Sequence, residues 1–184
     1  MIESTAAVRV AEPRDTGDRD RIDRACIDLW VAAVAARDGR VEDPAVRARA
    51  AAKFAAERVA LVVARGADDG RDGDADGDAV RGFALVTAPG TGGVAGPADA
   101  AYLSLLAVAP GAQGHGLGRR LLSEAVAAAA AAGYPRCELH ALDGNEPAVS
   151  LYRSAGFTPS AESFPHAVSG RPTRTWSTTA GQVR

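Results

Sequence analysis

The sequence predicts a mixed α/β sheet domain, one unit spanning residues 1–184. Three observations carry this expectation. The chain has 184 residues, a length that supports one hydrophobic core without disulfides or metals. Strand-like and helix-like segments follow the order β-α-α-β-β-β-α-β-α-β-β. No internal repeat and no linker-like stretch divides the chain.

The elements can be justified in order. AAVRVAEP, residues 6–13, alternates apolar and polar and ends at proline, as a first strand does. Residues 18–37 carry Ile22, Ala25, Cys26, Leu29, Ala32, Ala33 and Ala36 at helical spacing, and Asp38-Gly39 stops the helix. Residues 44–58 read as a second helix with Pro44 near its start. VALVVAR, 59–65, is a buried strand, and VRGFALVTA, 80–88, is its hairpin partner across a Gly/Asp loop at 66–78. AYLSLLAV, 101–108, is an apolar strand closed by Ala109-Pro110. Residues 116–132 form a helix with Leu117, Leu121, Leu122, Ala125 and Val126 as its stripe, ended by Gly133. RCELHAL, 136–142, is a strand. Residues 145–155 form a short helix that Asn145 can N-cap, with Pro147 in its first turn and Gly156 beyond its end. FTPSAESF and TRTWSTT are two closing strands.

Composition narrows the function. Lys and Arg total 21 against 23 Asp and Glu, a net charge of −2, which suggests neither a nucleic-acid nor a membrane partner. Lys53 is the only lysine. Cys26 and Cys137 stand far apart and form neither a disulfide framework nor a metal cluster, so no metal is expected. No signal-peptide pattern or membrane-length apolar run is present, and a cytoplasmic location is expected. Asp72, Asp74, Asp76 and Gly77 partly mimic a calcium loop. The position for its bidentate glutamate is Phe83, and flanking helices are missing, so a solvated acidic loop is expected there.

The most informative stretch is VAPGAQGHGLGRRLL, residues 108–122. A glycine-rich turn between a strand and a helix aims several backbone N–H groups one way, at the positive end of the helix dipole. Arg119 and Arg120 add charge, so the turn reads as a phosphate or pyrophosphate cradle. A dinucleotide fingerprint starting at Gly114 would need glycine where Arg119 stands. A P-loop would need a lysine that is absent. A tight turn without a ligand stays open on this loop alone.

A second stretch decides among these. NEPAVSLYRSAGF places Asn145, Ala148, Tyr152, Gly156 and Phe157 at fixed intervals, downstream of Val108, Pro110, Gln113, Gly114, Gly116, Leu117 and Gly118. With both motifs in this element order, the chain resembles the GNAT superfamily of N-acetyltransferases, densely from about Tyr102 to Phe157 and more loosely before. The resemblance implies the GNAT-like acyl-CoA N-acyltransferase fold and acetyl-CoA as acyl donor. It implies pyrophosphate contacts from Gln113, Gly114, His115, Gly116, Leu117, Gly118 and Arg119. Leu106, Ala107 and Val108 would pair with the pantetheine arm, and the N–H of Leu106 or Val108 would meet the developing oxyanion. Asn145 would contact pantetheine, cap its helix, or both. Tyr152 matches the family's general acid for the departing thiolate.

No carboxylate stands on the strand before the loop, where family members often carry the base. His140 occupies the position five residues before Asn145, where some protein N-terminal acetyltransferases have glutamate, and is the candidate base. Packing of His140 on the strand, Glu138, and a water chain are the alternatives. Cys137 reads as a core cysteine rather than an acyl carrier.

The implied function is transfer of acetyl from acetyl-CoA to a primary amine by direct attack in a ternary complex, with a small amine ahead of a protein N-terminus as acceptor. The resemblance implies an acceptor site walled by Leu29 to Lys53 and Phe164 to Trp176, where Glu42 and Asp43 could attract a cationic amine. A homodimer is compatible with the resemblance. The alternatives are a catalytically degenerate acetyl-CoA-binding module and a dinucleotide-binding oxidoreductase.

Overall fold

The computed structural model describes residues 6–39, 41–66, 79–93, 96–166 and 169–182. The acidic loop weighed for calcium, Asp72 to Gly77, lies outside them. Among the described residues, the elements are β1 (Ala7–Val10), α1 (Thr16–Asp38), α2 (Pro44–Ala55), β2 (Arg58–Arg65), β3 (Val80–Thr87), β4 (Ala100–Val108), α3 (Leu117–Ala131), β5 (Arg136–Leu142), α4 (Glu146–Ser154), β6 (Thr158–Pro165) and β7 (Pro172–Thr179). This is the expected order.

The strands form one sheet in the order β1-β2-β3-β4-β5-β7-β6. Every pair is antiparallel except β4 with β5. Alternation sorts side chains onto two faces. Ala60, Val62, Ala64, Ala84 and Val86 pack with Leu121, Leu122, Ala125 and Ala129 of α3. Leu61, Val63, Phe83 and Leu85 pack with Ile22 and Cys26 of α1 and with Ala50 and Phe54 of α2. Leu121 and Leu122 are fully buried, so truncating either to alanine costs about 2–5 kcal/mol.

Helix ends follow side-chain chemistry. The Asp15 carboxylate accepts from the Asp18 N–H at 2.8 Å, so α1 starts at Thr16, earlier than the apolar stripe alone suggests. Gly39, in the left-handed region at φ 61°, closes α1. Asp43 caps α2 through the Ala45 N–H at 2.8 Å. The expected extension of α2 to residue 58 does not occur. Arg58 instead pairs with Thr87 in the sheet, bonds Asp23 at 2.6 Å and lies over the Phe54 ring. Asn145 sits at the N-cap position of α4, but its side chain makes no cap bond there.

Candidate active site

The site is built on an interruption of the sheet. β4 and β5 share three rungs, Ala100 with Arg136, Ala101 with Cys137 and Tyr102 with Glu138. Beyond them no ladder joins the two strands. Each stays paired on its other edge, β4 with β3 as far as Val108 and β5 with β7 as far as Leu142. A wedge therefore opens between residues 103–108 and 139–142.

A bulge prepares the β4 wall. Leu85 and Val86 are adjacent on β3, yet their partners are Leu105 and Leu103, which leaves Ser104 as the extra residue. The bulge exchanges the faces of β4. Ala101 and Leu103 pack toward α3, whereas Leu105 and Ala107 pack toward α1 and α2, and Leu106 and Val108 turn to the α3 face. Ser104 Oγ meets Thr87 Oγ1 at 2.6 Å, which in turn meets Thr91 Oγ1 at 2.6 Å, and hydroxyls of this chain reach the backbone at Tyr102 O and Ala88 O. The Ala109 N–H donates to Arg81 O at 2.8 Å. Antiparallel alternation then directs the backbone groups of Leu106 and Val108 away from β3, into the wedge. Gln113 Nε2 already donates to Val108 O at 3.1 Å, which fixes that side chain against the strand end.

The three loop glycines are required for different reasons. Gly114 and Gly116 have φ of 82° and 75°, and nothing lies within 4 Å of where a Cβ would stand on either. They turn the backbone while leaving open space in front of it. Gly118 has ordinary backbone, but a Cβ there would come within 3.3 Å of Leu151 Cδ2 and 3.7 Å of Val108 Cγ2. It lets α3 approach α4 and β4. Gly116 caps α3 without a side-chain bond, so the first N–H groups of the 15-residue α3, on Leu117, Gly118 and Arg119, retain their capacity for an anion. His115, Arg119 and Arg120 are exposed. An uncapped helix start, open space over two glycines and an unpaired strand edge together fit a long ligand with a pyrophosphate at one end and amides along it.

Tyr152 lies at the α4 side. Its ring packs at 6.0 Å from Phe157 and 6.5 Å from Trp176, and burial pushes the phenol up to about 12. It is therefore a protonated donor at neutral pH. Tyr102 is raised too, first by burial and then by the charge of Tyr152, so the two phenols lie within electrostatic reach.

The opposite mouth of the wedge holds His140. Its ring stands edge-on between Tyr102 at 5.1 Å and Phe164 at 4.9 Å. The 88–93 loop closes over them. A Cβ on Gly92 would lie 2.7 Å from the Tyr102 ring and 3.1 Å from His140 Cε1. Burial, then the charges of Lys53 and His166, lowers His140 from 6.5 to about 4, so it is neutral at physiological pH. Glu138 turns toward Arg136, 3.7 Å away. Asp43, expected as an attractor of cations, is engaged as the α2 cap. Cys137 is fully buried and its thiol is pushed up to about 12, first by burial, as a core residue.

Lys53 and Phe164 come from the two segments expected to wall the acceptor site, Leu29 to Lys53 and Phe164 to Trp176, whereas Tyr102 had no expected role there. Lys53 Nζ donates to Thr91 O at 3.1 Å and lies 5.1 Å from the Tyr102 ring centroid. The available signal was Lys53 itself, the single lysine where arginine is used everywhere else.

The fold is that of the GNAT acetyltransferases. The family model described as Acetyltransferase (GNAT) family matches residues 42–157, and the chain belongs to that family. A Desulfovibrio desulfuricans chain assigned to the same family superposes with TM-score 0.68 at 19% identity, over 96% of this chain and 99% of that one. Nourseothricin acetyltransferase is 27% identical with TM-score 0.50, over 66% of this chain and 65% of its own. A Salmonella typhimurium chain solved with its cofactor acetyl-CoA has TM-score 0.56 at 18% identity, over 96% and 95% of the two chains. A search of the curated proteins finds no significant match. Family membership leaves the dinucleotide-binding oxidoreductase reading without support.

Proposed function

We propose that the chain, acting as one domain, transfers acetyl from acetyl-CoA to a primary amine by direct attack, with a small amine ahead of a protein N-terminus as acceptor. The observation that carries this reading is the wedge, which runs from the aromatic cluster around His140 to the start of α3, where no side chain caps the helix. Acetyl-CoA supplies an activated thioester. Gln113, Gly114, His115, Gly116, Leu117, Gly118 and Arg119 hold its pyrophosphate with backbone N–H groups and the helix dipole. Leu106, Ala107 and Val108 extend the sheet onto its pantetheine arm, and Asn145, free of capping duty, contacts the same arm. The N–H of Leu106 or Val108 donates to the thioester oxygen as negative charge grows on it.

The amine must lose its proton before attack. An α-amino group titrates near 8, roughly four units above His140, so proton transfer from the free ammonium to this imidazole is unfavourable by about 5 kcal/mol. The acceptor therefore enters as the free base. Neutral His140 accepts a hydrogen bond from its N–H and takes the proton once the C–N bond forms and the nitrogen becomes strongly acidic. Tyr152 donates its hydroxyl proton to the departing sulfur as the C–S bond breaks, and recovers it from solvent.

Release of free CoA thiol with a panel of primary amines tests the reading. Transfer to at least one amine, slowed by Tyr152→Phe, is the expected result. Acetyl-CoA binding without transfer to any of them would favour the degenerate binding module. The setting proposed for this reaction is cytoplasmic, and no helix among the described residues is long and apolar enough to cross a membrane.

A further inference from the structure

Lys53 is a half-buried ammonium with no acidic partner among the described residues. Its contacts are the Thr91 carbonyl at 3.1 Å and the Tyr102 ring face, which offer only partial negative charge. A cation held this way is incompletely compensated, and an anion beside it would restore the balance. Burial, with no opposing carboxylate, lowers its ordinary value.

The rim has the same sign. Arg49 lies one turn before Lys53 on α2, Arg37 lies near the end of α1, and Arg171 lies between β6 and β7. The charges of Arg49, Arg37 and Arg171 all bear on His166. Nearby acids are engaged elsewhere. Asp38 bonds Arg37 at 2.8 Å, Asp43 caps α2, and Glu138 faces Arg136. Glu42 precedes α2, whose stretch from Pro44 to Lys53 alone is about 14 Å at 1.5 Å per residue. A polyamine entering this chamber would meet Lys53 and Arg49 with like charge, whereas a carboxylate would find a partner. The rings of Tyr102 and Phe164 suit an apolar side chain on the same molecule.

We propose that the chamber beside His140 accepts an amine bearing a carboxylate a few bonds from its nitrogen, an α-amino acid rather than a polyamine, and that Lys53 binds the carboxylate. This rests on the acetyltransferase reading above and specifies its acceptor.

Calorimetry on the full chain saturated with CoA, which cannot turn over, tests the inference. The probes are L-methionine and L-phenylalanine, the carboxamide of each, and spermidine. The amino acids should bind about tenfold more tightly than their amides, the scale of one charge-assisted hydrogen bond. Lys53→Gln should abolish that ratio and Lys53→Arg should keep most of it, while CoA affinity, read in the same titrations, reports that each variant is folded. Equal binding of acid and amide, tighter binding of spermidine, a ratio that survives Lys53→Gln, or no binding of either amino acid would overturn the inference. Binding of the amino acids without acetyl transfer would contradict the proposed reaction and leave the acceptor class standing. Failure to bind CoA would contradict the donor site alone.

Discussion

Tyr102 faces Glu138 across the last rung that β4 and β5 share, and the open wedge starts one residue later. Above the rung, Ser104 bulges and reverses the faces of β4. Below it, Tyr102 carries the Lys53 ammonium on its ring and His140 at its edge. One junction therefore shapes both the open edge of β4 and the aromatic cluster around His140.

Tyr152, the proposed acid, is half-buried and holds its proton throughout the working range. Tyr152→Phe keeps the ring and its packing on Phe157 and Trp176. Transfer should slow about 100-fold or more, with acetyl-CoA affinity unchanged within about threefold. Steady-state turnover and a calorimetric titration check the two halves. Unchanged turnover would remove the acid role.

His140 gives stability a direction with pH. Its folded value, about 4, is below its ordinary 6.5, so on acidification the unfolded chain takes up the proton first. Its contribution is fully present above pH 6.5 and is lost as pH falls toward 4. His166 is lowered as well, first by burial. Urea midpoints should drop over this window, and His140→Gln should flatten the drop. The acid limb of turnover should instead follow the acceptor amine's own titration, moving when the amine is changed.

Capping separates two aspartate or asparagine positions that look alike in sequence. Asp43 accepts from the Ala45 N–H, whereas Asn145 makes no cap bond. Asp43→Ala should cost about 1 kcal/mol of stability. Asn145→Ala should leave the urea midpoint nearly unchanged and raise the KM for acetyl-CoA.

Gly116 and Gly118 should fail differently. Gly116→Ala forces a side chain into the left-handed region at φ 75°, costing about 1–2 kcal/mol, with no clash. Gly118→Val meets Leu151 and Val108 and pushes α3 away from its neighbours. Thermal unfolding with and without CoA should show a modest loss for the first, and for the second a larger loss that CoA does not restore.

Local chemistry in the sequence announces most of the fold. Pro44, Gly133 and the leucine stripe of α3 act within a few residues of themselves, and the helices they predict are present. The glycine loop is legible for the same reason. The acceptor side is legible only as the segments expected to wall it, Leu29 to Lys53 and Phe164 to Trp176. Lys53 reaches Thr91 across 38 residues, His140 is held neutral first by burial and then by Lys53 and His166 on other elements, and the reversal at Ser104 appears only when β3 lies alongside. The family resemblance implies a bulge on this strand around Leu106 to Val108, and the structure places it at Ser104.

The central claim is that the donor lies along residues 103–108 and over the start of α3. Amide hydrogen exchange with and without CoA tests it most directly. Binding should slow exchange at Leu106, Val108 and residues 114–119, and leave the interior rungs of β2 with β3 unchanged. Binding of CoA with no added protection at Leu106, Val108 and the glycine loop would contradict the account.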